Sequence, residues 1–267
     1  MRIALLQYPI VWADPKANLG LLNTRLMAIQ GQADIAVVPE MFTTGFCTDR
    51  PELAEPWGGA TCQALQQMAD RYKMAIMGSI ICYDEADKHH ALRNRGFMFR
   101  PHQEALYVDK RHLYKHGGEA NFFRAGNTRD IWEYKGVKIR LAVCYDLRFP
   151  VWLRQEKENL YDILVFVACW PTIRIQYWDA MLAARAAENQ CYVVGVNIVG
   201  TDGLDLDYNG HSVAYDTHLK NMTPFADYEE STRIVDFSIE RLHHFRQVLP
   251  LWEDGDEYKV VSDAFGN

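Results

Sequence analysis

The sequence predicts an α/β fold, with mixed sheets covered by helices on their outer faces, and three observations predict it. Short apolar runs alternate with amphipathic stretches along most of the chain. Two regions, residues 74–110 and 131–146, instead string strand-like runs together across short polar turns, as antiparallel pairs do. The 267 residues are 49% hydrophobic and contain no Pro/Gly/Ser-rich linker, so we expect one domain, residues 1–267, with a substantial core.

Each element has a local reason. "RIALLQY" reads as a strand, and "DPKANLGLLNTRLMAIQ" as a helix with Asp14 as its cap and Pro15 in its first turn. "ADIAVVPEMF" is a short apolar strand ending at Pro39-Glu40, and a loop over residues 43–59 leads to the helical "ATCQALQQMADRYK". "MAIMGSIICYD", "NRGFMFRP" and "EALYVDK" form an antiparallel excursion. "IWEYKGVKIRLAVCYD" is a hairpin about Lys135-Gly136, with Val137, Ile139, Leu141 and Val143 on an apolar face and Lys138 and Arg140 opposite. Residues 149–158 read as a helix, "YDILVFVACW" as a fully apolar strand, "IQYWDAMLAARAAENQ" as an amphipathic helix and "CYVVGVNIVG" as one strand. The strands "HSVAYD" and "TRIVDFSI", a helix "IERLHHFRQV" and an acidic tail complete the chain.

Composition removes several function classes. A formal net charge of −7, with lysines and arginines scattered instead of striped, argues against a nucleic-acid partner. The longest clearly apolar run, residues 163–170, is far short of the roughly 20 residues that cross a bilayer. The opening "MRIALLQYPIVW" carries no small-residue cleavage site, and a cytoplasmic location is expected. Cysteines at 47, 62, 82, 144, 169 and 191 form no C-x-x-C, which suggests neither a disulfide framework nor a zinc knuckle. His89-His90 and His243-His244 are adjacent pairs without the spacing of a metal site, so no metal or other cofactor is expected.

Three apolar runs deliver a reactive side chain at or near their C-terminal ends: "IAVVPE" at Glu40, "ALYVDK" at Lys110 and "IRLAVC" at Cys144. In α/β folds ligands collect beyond the carboxyl ends of strands, where distant segments meet. Glutamate, lysine and cysteine together suit nucleophilic attack on an acyl carbon. The carboxylate moves the proton, the ammonium steadies a developing oxyanion, and a neighbouring cation lowers the thiol pKa to favour thiolate. Taken singly, each residue has an ordinary reading: a solvated loop glutamate, a surface lysine, a buried cysteine.

The wording around these residues is more specific. "VVPEMFTTGF", "YVDKRHLY", "VCYDLRFP" and "AARAAENQCYVVGVNIVG" resemble, in order, the signature blocks of the nitrilase superfamily of carbon-nitrogen hydrolases. "DKRHL", "CYDLRFPVW" and "FRQVLPLWEDGDEY" are most similar to its omega-amidase branch, bacterial type. The resemblance implies a four-layer α-β-β-α sandwich. It also implies Glu40 as general base, Lys110 as oxyanion-stabilising lysine, Cys144 as the nucleophile that forms a thioester, and Glu119 as a second glutamate holding the lysine. The backbone N–H of Tyr145 is then the second oxyanion donor. Arg148 resembles the arginine aimed at a substrate carboxylate, with a salt bridge to Asp146 as its structural alternative. Trp170 is a candidate pocket wall or plain core, and His112 is read as loop support.

The implied activity is release of ammonia from the ω-amide of a small dicarboxylic acid monoamide such as 2-oxoglutaramate. A carbamoylase or nitrile hydrolase with the same Glu-Lys-Cys set is the alternative, and Arg148 discriminates because a neutral nitrile needs no carboxylate clamp. A non-catalytic binder would be expected to have lost one of the three, and a papain-like peptidase would need a cysteine signature that is absent. Family members commonly pair through a helix near residues 175–190, so a symmetric homodimer is expected.

Overall fold

A computed structural model describes residues 1–258 and 260; the last part of the acidic tail, residue 259 and residues 261–267, lies outside the described residues. The chain opens β1 (Arg2–Gln7), α1 (Pro15–Ala28), β2 (Ile35–Val37), β3 (Glu55–Pro56), α2 (Ala60–Tyr72), β4 (Ala75–Tyr83), β5 (Arg93–Phe99) and β6 (Leu106–Asp109). Asp14 caps α1 as expected, its carboxylate accepting from Ala17 N at 3.0 Å. After a one-turn α3 (Glu119–Phe122), β7 (Trp132–Tyr134) and β8 (Val137–Val143) form the hairpin. Lys135 and Gly136 both have positive φ, 52° and 74°, the backbone that a tight two-residue hairpin turn requires. A short α4 (Pro150–Leu153), β9 (Ile163–Val167), α5 (Ile175–Asn189), β10 (Tyr192–Val196), β11 (Val199–Thr201), β12 (Asp207–Asn209), β13 (Val213–Tyr215), β14 (Ser231–Asp236) and α6 (Ile239–Val248) follow.

Two mixed sheets result. The first runs β14-β1-β2-β4-β5-β6 with β3 beside β4, and the second runs β13-β10-β9-β8-β7. In each, a central trio of parallel strands is flanked by antiparallel partners. The three-strand excursion of residues 74–110 is therefore the far half of the first sheet. Alternation along β1 assigns its faces: Ile3 and Leu5 join the core between the sheets, whereas Ala4 and Leu6 pack with Leu22, Leu26 and Leu65 of α1 and α2. At Gly195 on β10 a Cβ would come within 2.8 Å of Leu182 and Trp178 of α5, so that helix covers the second sheet's outer face. The layers are thus helix, sheet, sheet, helix, as the α/β sandwich expectation requires.

Three local expectations are corrected. Residues 149–158 give only the single turn of α4, because the following chain is claimed by other partners. Gln155 Nε2 donates to the backbone oxygens of Tyr161 and Asn189, and Gln155 N donates to Asn189 Oδ1. "CYVVGVNIVG" breaks into β10 and β11 at Asn197, whose side chain is spent bracing the chain at Trp170 and Gly210. Arg140 is buried, not displayed on a polar face; its guanidinium donates to Trp152 O at 2.6 Å and lies 5.9 Å from the Tyr161 ring.

Candidate active site

Glu40, Lys110, Cys144 and Glu119 come together where the two sheets face each other. Val38 N still bonds across to Met77 O after β2 has ended, and Met41 N is caught by Ser79 Oγ at 2.9 Å, so Glu40 is held three residues beyond its strand. Lys110 directly follows β6, with its backbone tied to Asn94 O and to Gly126 N. Cys144 directly follows β8 and opens a tight turn of helix over Cys144–Arg148 with φ at +46°, a left-handed backbone that a non-glycine residue adopts at a cost of about 1–3 kcal/mol. Asp146 secures that turn by accepting from Val143 N and from both the backbone and Nδ1 of His112, whose ring stacks on Phe149 at 3.7 Å.

The charges are arranged as a buried cluster. Lys110 Nζ lies 2.8 Å from Glu40 Oε1 and 2.9 Å from Glu119 Oε2, and the side chains of all three are fully buried. Asn94 Nδ2 donates to the Oε1 atoms of both glutamates, at 2.7 and 2.9 Å. Cys169 N donates to Glu40 Oε2 at 2.9 Å, and Tyr114 N donates to Glu119 Oε2 at 2.7 Å. Burial opposes the lysine's charge, but Glu119 and Glu40 outweigh it and hold the ammonium well above its ordinary pKa. Burial raises the carboxyl of Glu119 against the pull of Lys110.

The thiol behaves differently from the sequence expectation. Burial first, and the adjacent Glu40 second, push Cys144 well above the ordinary thiol value, and Lys110 does not compensate. Cys144 therefore rests as a thiol with a carboxylate beside it.

Above the sulfur a cleft of about 270 Å³ opens, walled by Phe46, Tyr114, Tyr145, Trp170 and Tyr208. Arg148 lines it too, its Cζ 5.0 Å from the centroids of both Trp170 and Tyr177 and 6.0 Å from that of Tyr145. The alternative bridge to Asp146 does not form, since Asp146 is committed to His112 and Val143. Trp170 is both buried and a wall of the cleft: its indole Nε1 donates to Arg174 O at 2.8 Å and its ring packs 5.6 Å from Trp178.

Residues 2–247 match the model of the carbon-nitrogen hydrolase family. The chain belongs to that family. Omega-amidase YafV of Escherichia coli K12 is 38% identical over 267 residues, covering 97% of this chain and 98% of its own. The 2-oxoglutaramate amidase of Bacillus subtilis strain 168 is 27% identical, covering 94% and 96%. The crystal structure of XC1258 from Xanthomonas campestris, described as a CN-hydrolase superfamily protein with an arsenic adduct in the active site, matches with a TM-score of 0.93 at 35% identity over 98% and 99% of the two chains. Nit3 of Saccharomyces cerevisiae, a member of branch 10 of the nitrilase superfamily, shares the fold with a TM-score of 0.84 at 23% identity over 94% of each chain.

Sequence reasoning about this carbon-nitrogen hydrolase missed Asn94, Cys169 and Arg174. Asn94 shares the inter-sheet face of β5 with Gly96 and Met98, and that period-two placement is the one signal that could have marked it as a buried amide. Cys169 acts through its backbone N–H, which carries no sequence signature. Arg174, next to Ile175 at the start of α5, could have been noticed as a basic residue at a helix start, where the macrodipole disfavours it.

Proposed function

We propose that the protein is a thiol amidohydrolase that releases ammonia from the ω-amide of small dicarboxylic acid monoamides such as 2-oxoglutaramate. The observation that carries this reading is the Cys144 thiol bordered by a buried Glu-Lys-Glu cluster beneath a cleft that also contains Arg148, a guanidinium with no carboxylate partner among the described residues. The omega-amidase and 2-oxoglutaramate amidase names of relatives that span nearly the whole chain support it.

In this reading Cys144 Sγ attacks the amide carbon as its proton passes to Glu40. The carbonyl oxygen becomes an oxyanion between Lys110 Nζ and the N–H of Tyr145, which lies in the first turn of the helix and so has no acceptor upstream within it. Glu40 gives the proton to the amide nitrogen, the C–N bond breaks and ammonia leaves, with the acyl group held as a thioester. Water then attacks the thioester carbon and loses its proton to Glu40, which returns it to Sγ as the carboxylic acid departs. Glu119 and Asn94 position the lysine and the base throughout. Arg148 holds the substrate's far carboxylate, and the Trp170 ring braces that guanidinium.

We further read residues 1–267 as one domain, the chain as a homodimer and its location as cytoplasmic. Ala180, Ala184 and Ala187 form an exposed small-residue stripe along α5, with the exposed ring of Tyr177 at its start, which suits close pairing of two copies. All six cysteines are unpaired, in keeping with a reducing compartment. Among the described residues no helix is long and apolar enough to cross a membrane.

The test is ammonia release from 2-oxoglutaramate and a neutral amide, with a simple nitrile as the competing substrate class. The amidase reading expects turnover of 2-oxoglutaramate, and Arg148→Met should raise KM for it far more than for the neutral amide. Turnover of the nitrile alone would replace this reading with a nitrile hydrolase.

A further inference from the structure

Two guanidinium groups line the cleft above Cys144, and the mechanism just described uses one. Arg174 ends the short helical turn Thr172–Arg174 ahead of α5 and is half-buried. Its Cζ lies 5.5 Å from the centroid of the Tyr114 ring, while that of Arg148 lies 6.0 Å from Tyr145. The Tyr114 and Tyr145 rings are 5.1 Å apart, so the two arginines stand over adjoining parts of one aromatic wall. Trp170 links them from the other side, donating to Arg174 O and lying under the Arg148 guanidinium. Among the described residues neither arginine has a carboxylate partner, unlike Arg95 and Arg185 elsewhere in the molecule. No Asp or Glu is found among the residues lining the cleft.

A single guanidinium fork already satisfies both oxygens of one carboxylate. A second unpaired guanidinium in the same partly desolvated cleft leaves donors for a further acceptor next to that carboxylate. An α-ammonium group would meet two like charges there and no carboxylate to offset them, so the arrangement also repels the wrong ligand. We propose that Arg174 is a second anion-binding residue of the cleft. With Arg148 it selects amides whose far end carries a carboxylate beside an acceptor oxygen, as in a 2-oxo acid, over amides whose far end carries an ammonium group. This rests on the amidase reading above.

The experiment measures ammonia release by wild type, Arg174→Met and Arg174→Lys with four amides: 2-oxoglutaramate, glutaramate without the oxo group, L-glutamine and neutral valeramide. Arg174→Met is expected to raise KM for 2-oxoglutaramate by about 10- to 100-fold, the loss of charge-assisted hydrogen bonds, with kcat within a few-fold. KM for valeramide should change far less than KM for 2-oxoglutaramate, and the preference for 2-oxoglutaramate over glutamine should narrow. Arg174→Lys should retain that preference in part, which a purely structural role would not predict, and it stands in if the Met variant does not fold. Equal KM changes for 2-oxoglutaramate and valeramide, or an unchanged preference over glutamine, overturn the role of Arg174 while leaving the amidase reading intact. Wild-type enzyme that releases ammonia from none of the four overturns both.

Discussion

At the scale of single residues, the central fact is a thiol whose ionisation is opposed first by burial and then by the Glu40 carboxylate. Because the Glu40 carboxylate helps raise the Cys144 pKa, replacing it has a definite sign: Glu40→Gln should let the thiol ionise at lower pH than in wild type. Thiolate ultraviolet absorbance followed against pH, with Cys144→Ala as the blank, reads this directly. The same variant should lose about 100- to 10,000-fold in kcat as its general base is removed. A thiolate that forms at unchanged or higher pH in Glu40→Gln would show that the carboxylate does not govern the sulfur. Asn94 makes a second prediction, since its amide joins both glutamates. Asn94→Leu should lower kcat at least about tenfold with KM little changed, each lost hydrogen bond to a charged group being worth about 1.5–3 kcal/mol; equal effects on kcat and KM would make it a general packing residue. Glu40, Lys110 and Cys144 were legible as candidates in the sequence because each stands near the end of an apolar run, but only their resemblance to the signature blocks set them apart from their ordinary readings. Asn94 was not, because one amide inside a strand looks like any polar residue of a half-exposed sheet. The sign of the Cys144 shift was also hidden, since burial, its largest cause, is set by the packing of two sheets that no local window contains.

At the scale of elements, the site depends on how closely β5 approaches β8. A Cβ added at Gly96 would lie 2.8 Å from Leu141 Cδ2 and 3.3 Å from Val143 Cγ2, on the strand that ends at Cys144. Gly96→Val should therefore destabilise the fold by about 1–3 kcal/mol through overpacking, and should lower activity in the surviving folded protein by displacing Cys144. A denaturant melt paired with kcat checks both, and unchanged stability would mean that the sheets separate without cost. The elements β1, α1, α2, α5 and the β7–β8 hairpin were readable from their own residues, through apolar runs, caps and turn residues. The helix expected over residues 149–158 failed because its polar groups are claimed by Tyr161 and Asn189, partners that no local window contains. Arg140 failed for a related reason: alternation fixes which face a side chain takes, but not that Trp152 and Tyr161 cover that face.

At the scale of the whole molecule, two sheets of similar topology press their apolar faces together, and the chemistry lies at one end of that interface. The layered architecture was legible because alternating apolar runs demand covered sheets, and the order of the signature blocks then identified the sandwich. The proposed pairing of copies rests on α5, and Ala184→Arg on its exposed face should convert a dimer to a monomer in sedimentation velocity; a wild-type monomer would remove the proposal. The central claim is that Cys144 forms a covalent acyl intermediate. Mass spectrometry of enzyme quenched in acid during turnover of 2-oxoglutaramate tests it most directly. The account predicts an adduct equal to the substrate less ammonia, confined to the peptide carrying Cys144 and absent from Cys144→Ala. An adduct on a different residue, or ammonia release at the wild-type rate by Cys144→Ala, would contradict it.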